Sequence, residues 1–233
     1  MDGSCIYHAK AMEPLLRRLR EGTPTSLVAL GDSNTCNHLF TRTEKGWPEL
    51  LQMYLRITYD CQPITLINSG ICGDTTTLAI ERLERDVIRY TPHCTIVTLG
   101  TNDAGRLTAN EFEKNLATIV DMVSAAGSLV VLRTITPVME RMPSPPHIWK
   151  NDRARRENVE RSVALAHRRA LPCVDVHRAW MDMEEKGALA IGELMFDEVH
   201  PNAAGHRLVL HQLAPLFGID CAGLPPVHPV TPS

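Results

Sequence analysis

Five short apolar runs, each separated from the next by a longer segment with helical spacing, constrain this chain more than any other feature. The runs are continuously apolar, which is typical of strands in a parallel sheet covered on both faces. The segments between them repeat apolar residues every three or four positions, as amphipathic helices do. This alternation predicts an α/β fold with a doubly wound sheet. The predicted strands are residues 26–30, 64–68, 95–99, 129–134 and 173–176.

The helical patterns and the lack of a linker predict one domain over residues 1–220. Two segments fall outside the alternation. Residues 137–150, with four prolines, follow the fourth strand as either a surface loop or a flap over a substrate. Residues 221–233 are predicted to be a proline-rich tail outside the core. The predicted helices are residues 47–58, 78–88, 112–123, 151–170 and 201–216.

Composition and charge exclude several classes of function. The 233 residues are 44% hydrophobic and 22% charged, as in ordinary globular proteins. With 24 basic and 27 acidic residues, the net charge is −3, so no basic field is available to bind nucleic acid. No apolar run approaches the ~20 residues of a membrane span. The expected partner is therefore a small molecule rather than a nucleic acid or a membrane.

The cysteines favour a reducing compartment. Seven of them are scattered along the chain without a Cys-x-x-Cys pair. Residues 1–10 lack the apolar core of a secretion signal. We therefore expect reduced thiols in a cytoplasmic protein, whereas a disulfide scaffold would need a signal peptide and a smaller chain.

Reactive residue types cluster where the predicted strands end. Open α/β sheets bind ligands outside the carboxyl ends of their strands. Gly31-Asp32-Ser33 follows the first strand, and a second segment around Gly73 follows the next. Gly100-Thr101-Asn102-Asp103 follows the third, and Asp197-Glu198-Val199-His200 precedes the last helix. A hydroxyl, an amide and an Asp/His pair are thus expected at one edge of the sheet.

These residue types suit nucleophilic catalysis. A serine hydroxyl is a weak nucleophile and needs a base, usually a histidine that a carboxylate orients. Asp197 and His200 are three residues apart, so one turn can bring them together and leave the histidine free to take the proton of Ser33. The oxyanion needs donors, which the N–H groups of Ser33 and Gly73 and the amide of Asn102 could supply.

The four segments, in this order, resemble the SGNH hydrolases, also called the GDSL esterase/lipase family. Gly-Asp-Ser matches the first block, with Ser33 as nucleophile; Gly73 lies in the second, Gly-x-Asn-Asp is the third and Asp-x-x-His the last. Asn34 replaces the leucine of the family's name, at a position with little bearing on the chemistry. The resemblance covers about residues 26–217. It implies a flavodoxin-like three-layer αβα sandwich with a mostly parallel five-stranded sheet, no metal and no organic cofactor.

Each residue also has a plainer interpretation. Ser33 or Asp197 could cap a helix, and Asn102 could close a turn. The four blocks together favour catalysis. We expect the remaining aspartates of the blocks, Asp32, Asp74 and Asp103, to brace loops.

Other enzyme classes fit less well. Gly100 to Gly105 has Walker-like spacing, but Arg106-Leu107 stands where Lys-Ser/Thr is needed. The first strand lacks the G-x-G-x-x-G of a dinucleotide fold. Asp197 and three histidines could suggest a metal hydrolase. However, His206 and His211 are five residues apart and point to different faces of one helix.

The sequence thus predicts a serine esterase that acts on small esters. The run from Asp197 to His206 resembles that of bacterial acetylesterases that deacetylate sugars, which favours short acyl groups. A thioesterase, a lysophospholipase, an acyltransferase or a non-catalytic binding module on this fold are the alternatives. Cys36 and Cys72 are expected near the site, where alkylation would impair activity. Whether the protein forms a homo-oligomer stays open.

Overall fold

A central six-stranded sheet organises the molecule, with helices on both of its faces. The computed structural model describes residues 5–36, 39–60, 62–139 and 152–227. The strand order is β1-β6-β5-β4-β2-β3, and every neighbouring pair is parallel except β1 and β6. The strands are β1 (Ile6–Tyr7), β2 (Thr25–Gly31), β3 (Ile64–Gly70), β4 (Cys94–Thr98), β5 (Leu129–Arg133) and β6 (Cys173–Val174).

Within the residues that the structure describes, eight α-helices connect and flank these strands. Short 3₁₀ turns supplement them, among them Ile191–Leu194 and Ala214–Phe217. None of the helices in the described part of the chain is long and apolar enough to cross a membrane. The helices are α1 (Glu13–Arg20), α2 (Ser33–Cys36), α3 (Trp47–Thr58), α4 (Thr76–Asp86), α5 (Ala109–Ala125), α6 (Asp152–Arg169), α7 (Val176–Glu185) and α8 (Ala203–Leu213).

The continuous apolar character of the strands has the predicted cause: both faces of the sheet are buried. Along β2, Leu27 and Ala29 point into one core layer and Val28 and Leu30 into the other. The first layer contains side chains of α1, α3, α7 and α8, and the second contains those of α4, α5 and α6. The predicted α/β architecture with a mostly parallel sheet is therefore confirmed.

Three details of the prediction need correction. The sheet has six strands rather than five, because Ile6–Tyr7 pairs antiparallel with β6 and is too short to give a sequence pattern. The strand predicted over 173–176 stops at Val174, since the Asp175 side chain accepts the Arg178 N–H and caps α7. The start of the tail joins the core, where Leu224 is buried.

The predicted loop or flap over residues 137–150 lies almost wholly outside the described residues, which include only Pro137–Met139 of it. Both interpretations of that segment stay predictions.

One close contact between backbones fixes the position of α2. Gly31 at the end of β2 pairs in register with Gly70 at the end of β3. A Cβ atom on Gly70 would lie 2.2 Å from the backbone nitrogen of Cys36, the last residue of α2. The absence of a side chain at residue 70 thus lets α2 pack against the carboxyl end of the sheet.

Gly70→Ala should therefore lower the free energy of unfolding by about 1–3 kcal/mol, as overpacking does. Gly223→Ala is the matched control, because a Cβ there meets no atom within 4 Å; its effect should stay within about 0.5 kcal/mol. Urea unfolding measures both. Equal stabilities of the two variants would contradict this account of the packing.

Candidate active site

Ser33 is the first residue of α2 and lies directly beyond β2. The preceding residue, Asp32, is buried, and its Oδ1 accepts the Asn34 N–H at 2.9 Å. Burial raises the pKa of Asp32, and the Asn34 N–H and the Arg133 charge only partly oppose this effect. Asp32 thus makes the capping contact at this turn, as a bracing residue would, and the Ser33 hydroxyl is not needed for it.

A short turn before α8 holds the predicted acid–base pair. The N–H groups of Val199 and His200 both donate to Oδ1 of Asp197 at 2.8 Å. The Phe196 N–H donates to the His200 carbonyl at 2.8 Å and closes the turn. Asp197 does not cap α8, since the Asn202 side chain does so by accepting the Gly205 N–H. Asp197 and His200, which are three residues apart, therefore meet within one turn, as predicted.

The structure brings the Asp197, His200 and Ser33 side chains together. His200 Nδ1 lies 2.7 Å from Asp197 Oδ2, and His200 Nε2 lies 2.9 Å from Ser33 Oγ. Burial acts to raise the pKa of Asp197, but the Val199 N–H and the contacts of His200 outweigh it and hold the pKa below its usual value. A charged Asp197 selects the tautomer with a proton on Nδ1, which leaves Nε2 to accept the Ser33 proton.

The two other predicted residues lie at the neighbouring strand ends. Gly73 has φ +77°, a conformation that favours glycine, and a Cβ on it would meet no atom within 4 Å. The Asn102 side-chain amide donates one of its two hydrogens to the carbonyl of Asp74, the residue after Gly73, at 3.0 Å. The second hydrogen can donate to another acceptor. Because β2 lies between β3 and β4, these groups flank the strand that leads to Ser33. Their role as oxyanion donors stays a prediction.

Sequence reasoning missed Arg82, which connects the strand ends around the site. From α4, its guanidinium contacts Asp74 Oδ2 at 2.5 and 2.9 Å, the Ser69 carbonyl at 2.9 Å and the Gly31 carbonyl at 3.3 Å. Asp103 braces the same region by accepting the backbone N–H of Thr76 at 2.9 Å. The sequence signal was an arginine next to Leu83 on the buried face of a predicted helix.

Two aromatic residues near His200 were also missed. The Phe40 ring stacks on the imidazole of His200 with centroids 3.6 Å apart and an angle of 4° between the planes. Phe196 meets Phe40 edge to face at 5.7 Å, and the Arg42 guanidinium lies 6.0 Å from the Phe196 ring. These three residues border a cavity of about 160 Å³. Phe40 is 160 positions away from His200 in the sequence, so no local pattern could reveal the contact.

The remaining candidate histidines lie apart from the site. His206 is buried, and its Nδ1 accepts the Trp47 N–H at 3.2 Å. Burial, together with the Arg133 charge, lowers the pKa of His206 to about 3, so this ring stays neutral. His211 donates to the Pro225 carbonyl at 2.8 Å. Among the described residues, no three His, Cys, Asp or Glu side chains form a group that could hold a metal ion.

The two predicted thiols do lie together beside the site. Cys36 ends α2. Burial raises the pKa of Cys72, the residue before Gly73, and the neighbouring Cys36 contributes to the same shift, so the two thiols interact. Sensitivity of the activity to thiol reagents stays a prediction.

Arg82→Met should lower the free energy of unfolding by about 3–5 kcal/mol, because it leaves the Asp74 carboxylate buried without its cation. The Arg82 side chain is only 7% exposed and that of Asp74 only 2%. Arg85→Met on the same helix is the control, since Arg85 is 66% exposed and its ion pair contributes under about 1 kcal/mol. Chemical denaturation that gives the same loss for both variants would show that the Asp74–Arg82 pair does not brace the strand ends.

Several known proteins resemble this chain in sequence. An arylesterase of Vibrio mimicus is 33% identical over 110 residues, which cover 47% of this chain and 54% of that protein. An acetylxylan esterase of Geobacillus stearothermophilus is 27% identical over 217 residues, or 87% of this chain and 98% of the relative. The chain spans about half the length of the first curated relatives that it matches.

Solved structures and a family model extend the comparison. The crystal structure of the acetylxylan esterase from Geobacillus stearothermophilus has the same fold, with a TM-score of 0.69 and 23% identity over 87% of this chain and 98% of that chain. The model of the GDSL-like lipase/acylhydrolase family matches residues 29–208, which include all four sequence blocks. As the sequence resemblance predicted, the chain belongs to the GDSL-like lipase/acylhydrolase family.

Proposed function

We propose that this protein is a serine esterase that hydrolyses small carboxylic esters through an acyl-enzyme. The observation that carries the proposal is the chain of two hydrogen bonds from Asp197 through His200 to Ser33, 2.7 and 2.9 Å long. Solved variants of the Geobacillus acetylxylan esterase offer support. Three are described as catalytic mutants, with a serine, a histidine or an aspartate replaced by alanine, and the last two are three positions apart, like Asp197 and His200.

In the first half of the reaction, Ser33 Oγ attacks the ester carbonyl carbon while His200 Nε2 takes the hydroxyl proton. Asp197 holds the ring by Nδ1–H and stabilises the imidazolium. The carbonyl oxygen becomes an oxyanion that the N–H groups of Ser33 and Gly73 and the Asn102 amide stabilise. When the tetrahedral intermediate collapses, His200 gives the proton to the departing alcohol, and the acyl group stays on Ser33.

In the second half, water takes the place of the alcohol. His200 removes a proton from the water as it attacks the acyl carbon, and the same donors bind the second oxyanion. Collapse returns the proton to Ser33 Oγ and releases the carboxylic acid. A thiol ester, a lysophospholipid or an alcohol acceptor would use the same steps with a different leaving group or acceptor. Those activities are the alternatives within the family.

The substrate we propose carries a short acyl group, in particular an acetyl group on a carbohydrate. The relative named acetylxylan esterase matches this chain along nearly all of its own length, whereas the arylesterase matches over about half. The run from Asp197 to His206 favours the same substrate class on sequence grounds. The cytoplasmic location inferred from the cysteines is likewise a proposal.

Ser33→Ala should lower kcat for p-nitrophenyl acetate by at least about 10⁴-fold, because no acyl-enzyme can form without the hydroxyl. Ser124→Ala on the exposed face of α5 is the control and should keep full activity. Circular dichroism establishes that both variants are folded. A folded Ser33→Ala enzyme with wild-type turnover would exclude Ser33 as the nucleophile.

The acyl preference is tested by p-nitrophenyl esters from acetyl to palmitoyl. We expect kcat/KM to be highest for acetyl or butyryl and to fall with longer chains. Release of acetate from acetylated xylo-oligosaccharides then tests whether the acetyl group can be carried by a carbohydrate. An optimum at long chains would contradict the short-acyl proposal without affecting the assignment of Ser33.

A further inference from the structure

We propose that Phe40 is a positioning residue for the reaction, which holds the His200 ring towards Ser33 and stabilises the ring while it carries the proton. The proposal rests on the proposed function, because it takes His200 as the group that accepts the Ser33 proton. Phe40 itself does not contact Ser33 in this account and acts through His200.

Two hydrogen bonds fix His200 within the plane of its ring, one from Nδ1 to Asp197 and one from Nε2 to Ser33. Neither bond prevents the ring from tilting out of that plane. Phe40 lies face to face with the ring at 3.6 Å, within van der Waals distance, and blocks the tilt on one side. The two hydrogen bonds and the stacked ring together restrict the imidazole more than the hydrogen bonds do alone.

The face of an aromatic ring carries negative charge density and attracts a cation over it. In the proposed reaction His200 takes up the Ser33 proton and becomes an imidazolium as Ser33 attacks. The contact with Phe40 is therefore stronger in the transition state than in the ground state. An interaction of this kind raises kcat rather than tightening substrate binding.

Phe40 is itself held in place by a second aromatic residue. Phe196, which precedes Asp197 directly in the chain, meets the Phe40 ring edge to face at 5.7 Å and 63°. Such pairs are favourable beyond the area that they bury. Phe196 and the imidazole of His200 thus both pack against Phe40, and both belong to the turn that carries the acid–base pair.

Several charged and titratable groups lie around His200. The Asp197 carboxylate contacts Nδ1 of the ring at 2.7 Å. His206 stays neutral because burial lowers its pKa to about 3. The Arg42 guanidinium lies 6.0 Å from the Phe196 ring. Asp32 and His206 both interact electrostatically with His200, and each of them also interacts with Arg133.

Phe40→Leu tests the proposal, with Phe40→Tyr as the conservative variant and Leu39→Ala as the control. Leu39 is 74% exposed and immediately precedes Phe40. We expect Phe40→Leu to lower kcat about 3- to 30-fold, the factor that corresponds to the loss of a cation–π contact. KM for p-nitrophenyl acetate should change less than twofold. Phe40→Tyr and Leu39→Ala should keep kcat within twofold of wild type.

The pH dependence separates this role from a merely structural one. Without the aromatic face the imidazolium is less stable, so the acid limb of kcat/KM should move to lower pH in Phe40→Leu but not in Phe40→Tyr. The NMR titration of the His200 ring should move in the same direction, and it does so even if the proposed function fails. An unchanged kcat, or a lower kcat with neither the pH profile nor the titration moved, would overturn the proposal.

Discussion

The contact between α2 and the carboxyl ends of β2 and β3 determines where the Ser33 hydroxyl lies. Backbone meets backbone there, with no room for a side chain on Gly70. Ser33 begins the same four-residue helix, so this contact sets its distance from the Asp197–His200 turn. Arg82 braces the strand ends next to that contact, and the Asp197–His200 turn, which lies near the C-terminal end of the chain, reaches Ser33.

The buried aspartates and the partly exposed Asp197 have different roles in this structure. Asp32, Asp74 and Asp103 are buried, and burial raises the pKa of each. Their oxygens bind backbone N–H groups, or in the case of Asp74 the Arg82 guanidinium, and so fix the strand ends. The carboxylate of Asp197 is about one-third exposed and has a pKa below its usual value. It therefore stays charged, as the partner of an imidazolium needs to be.

The sequence allowed the sheet and the acid–base pair to be predicted, because both leave local patterns. Buried parallel strands leave a continuous apolar run, such as residues 27–30 of β2, and Asp197 and His200 interact within one turn. The two-residue strand Ile6–Tyr7 is too short to leave a pattern. The strand predicted over 173–176 ends early because Asp175 caps α7, although the apolar Val176 follows it. Phe40 and Arg82 act through contacts between distant elements, which hydrophobic periodicity does not encode.

The central claim is that the hydroxyl of Ser33 is the nucleophile, activated by His200. The most direct measurement is to treat the full-length protein with an organophosphate, which is attacked in the same way as an ester, and to locate the adduct by peptide mass spectrometry. The account predicts one adduct per chain, on Ser33, and loss of esterase activity in proportion to labelling. Labelling at another residue, or complete inactivation with Ser33 unmodified, would contradict it.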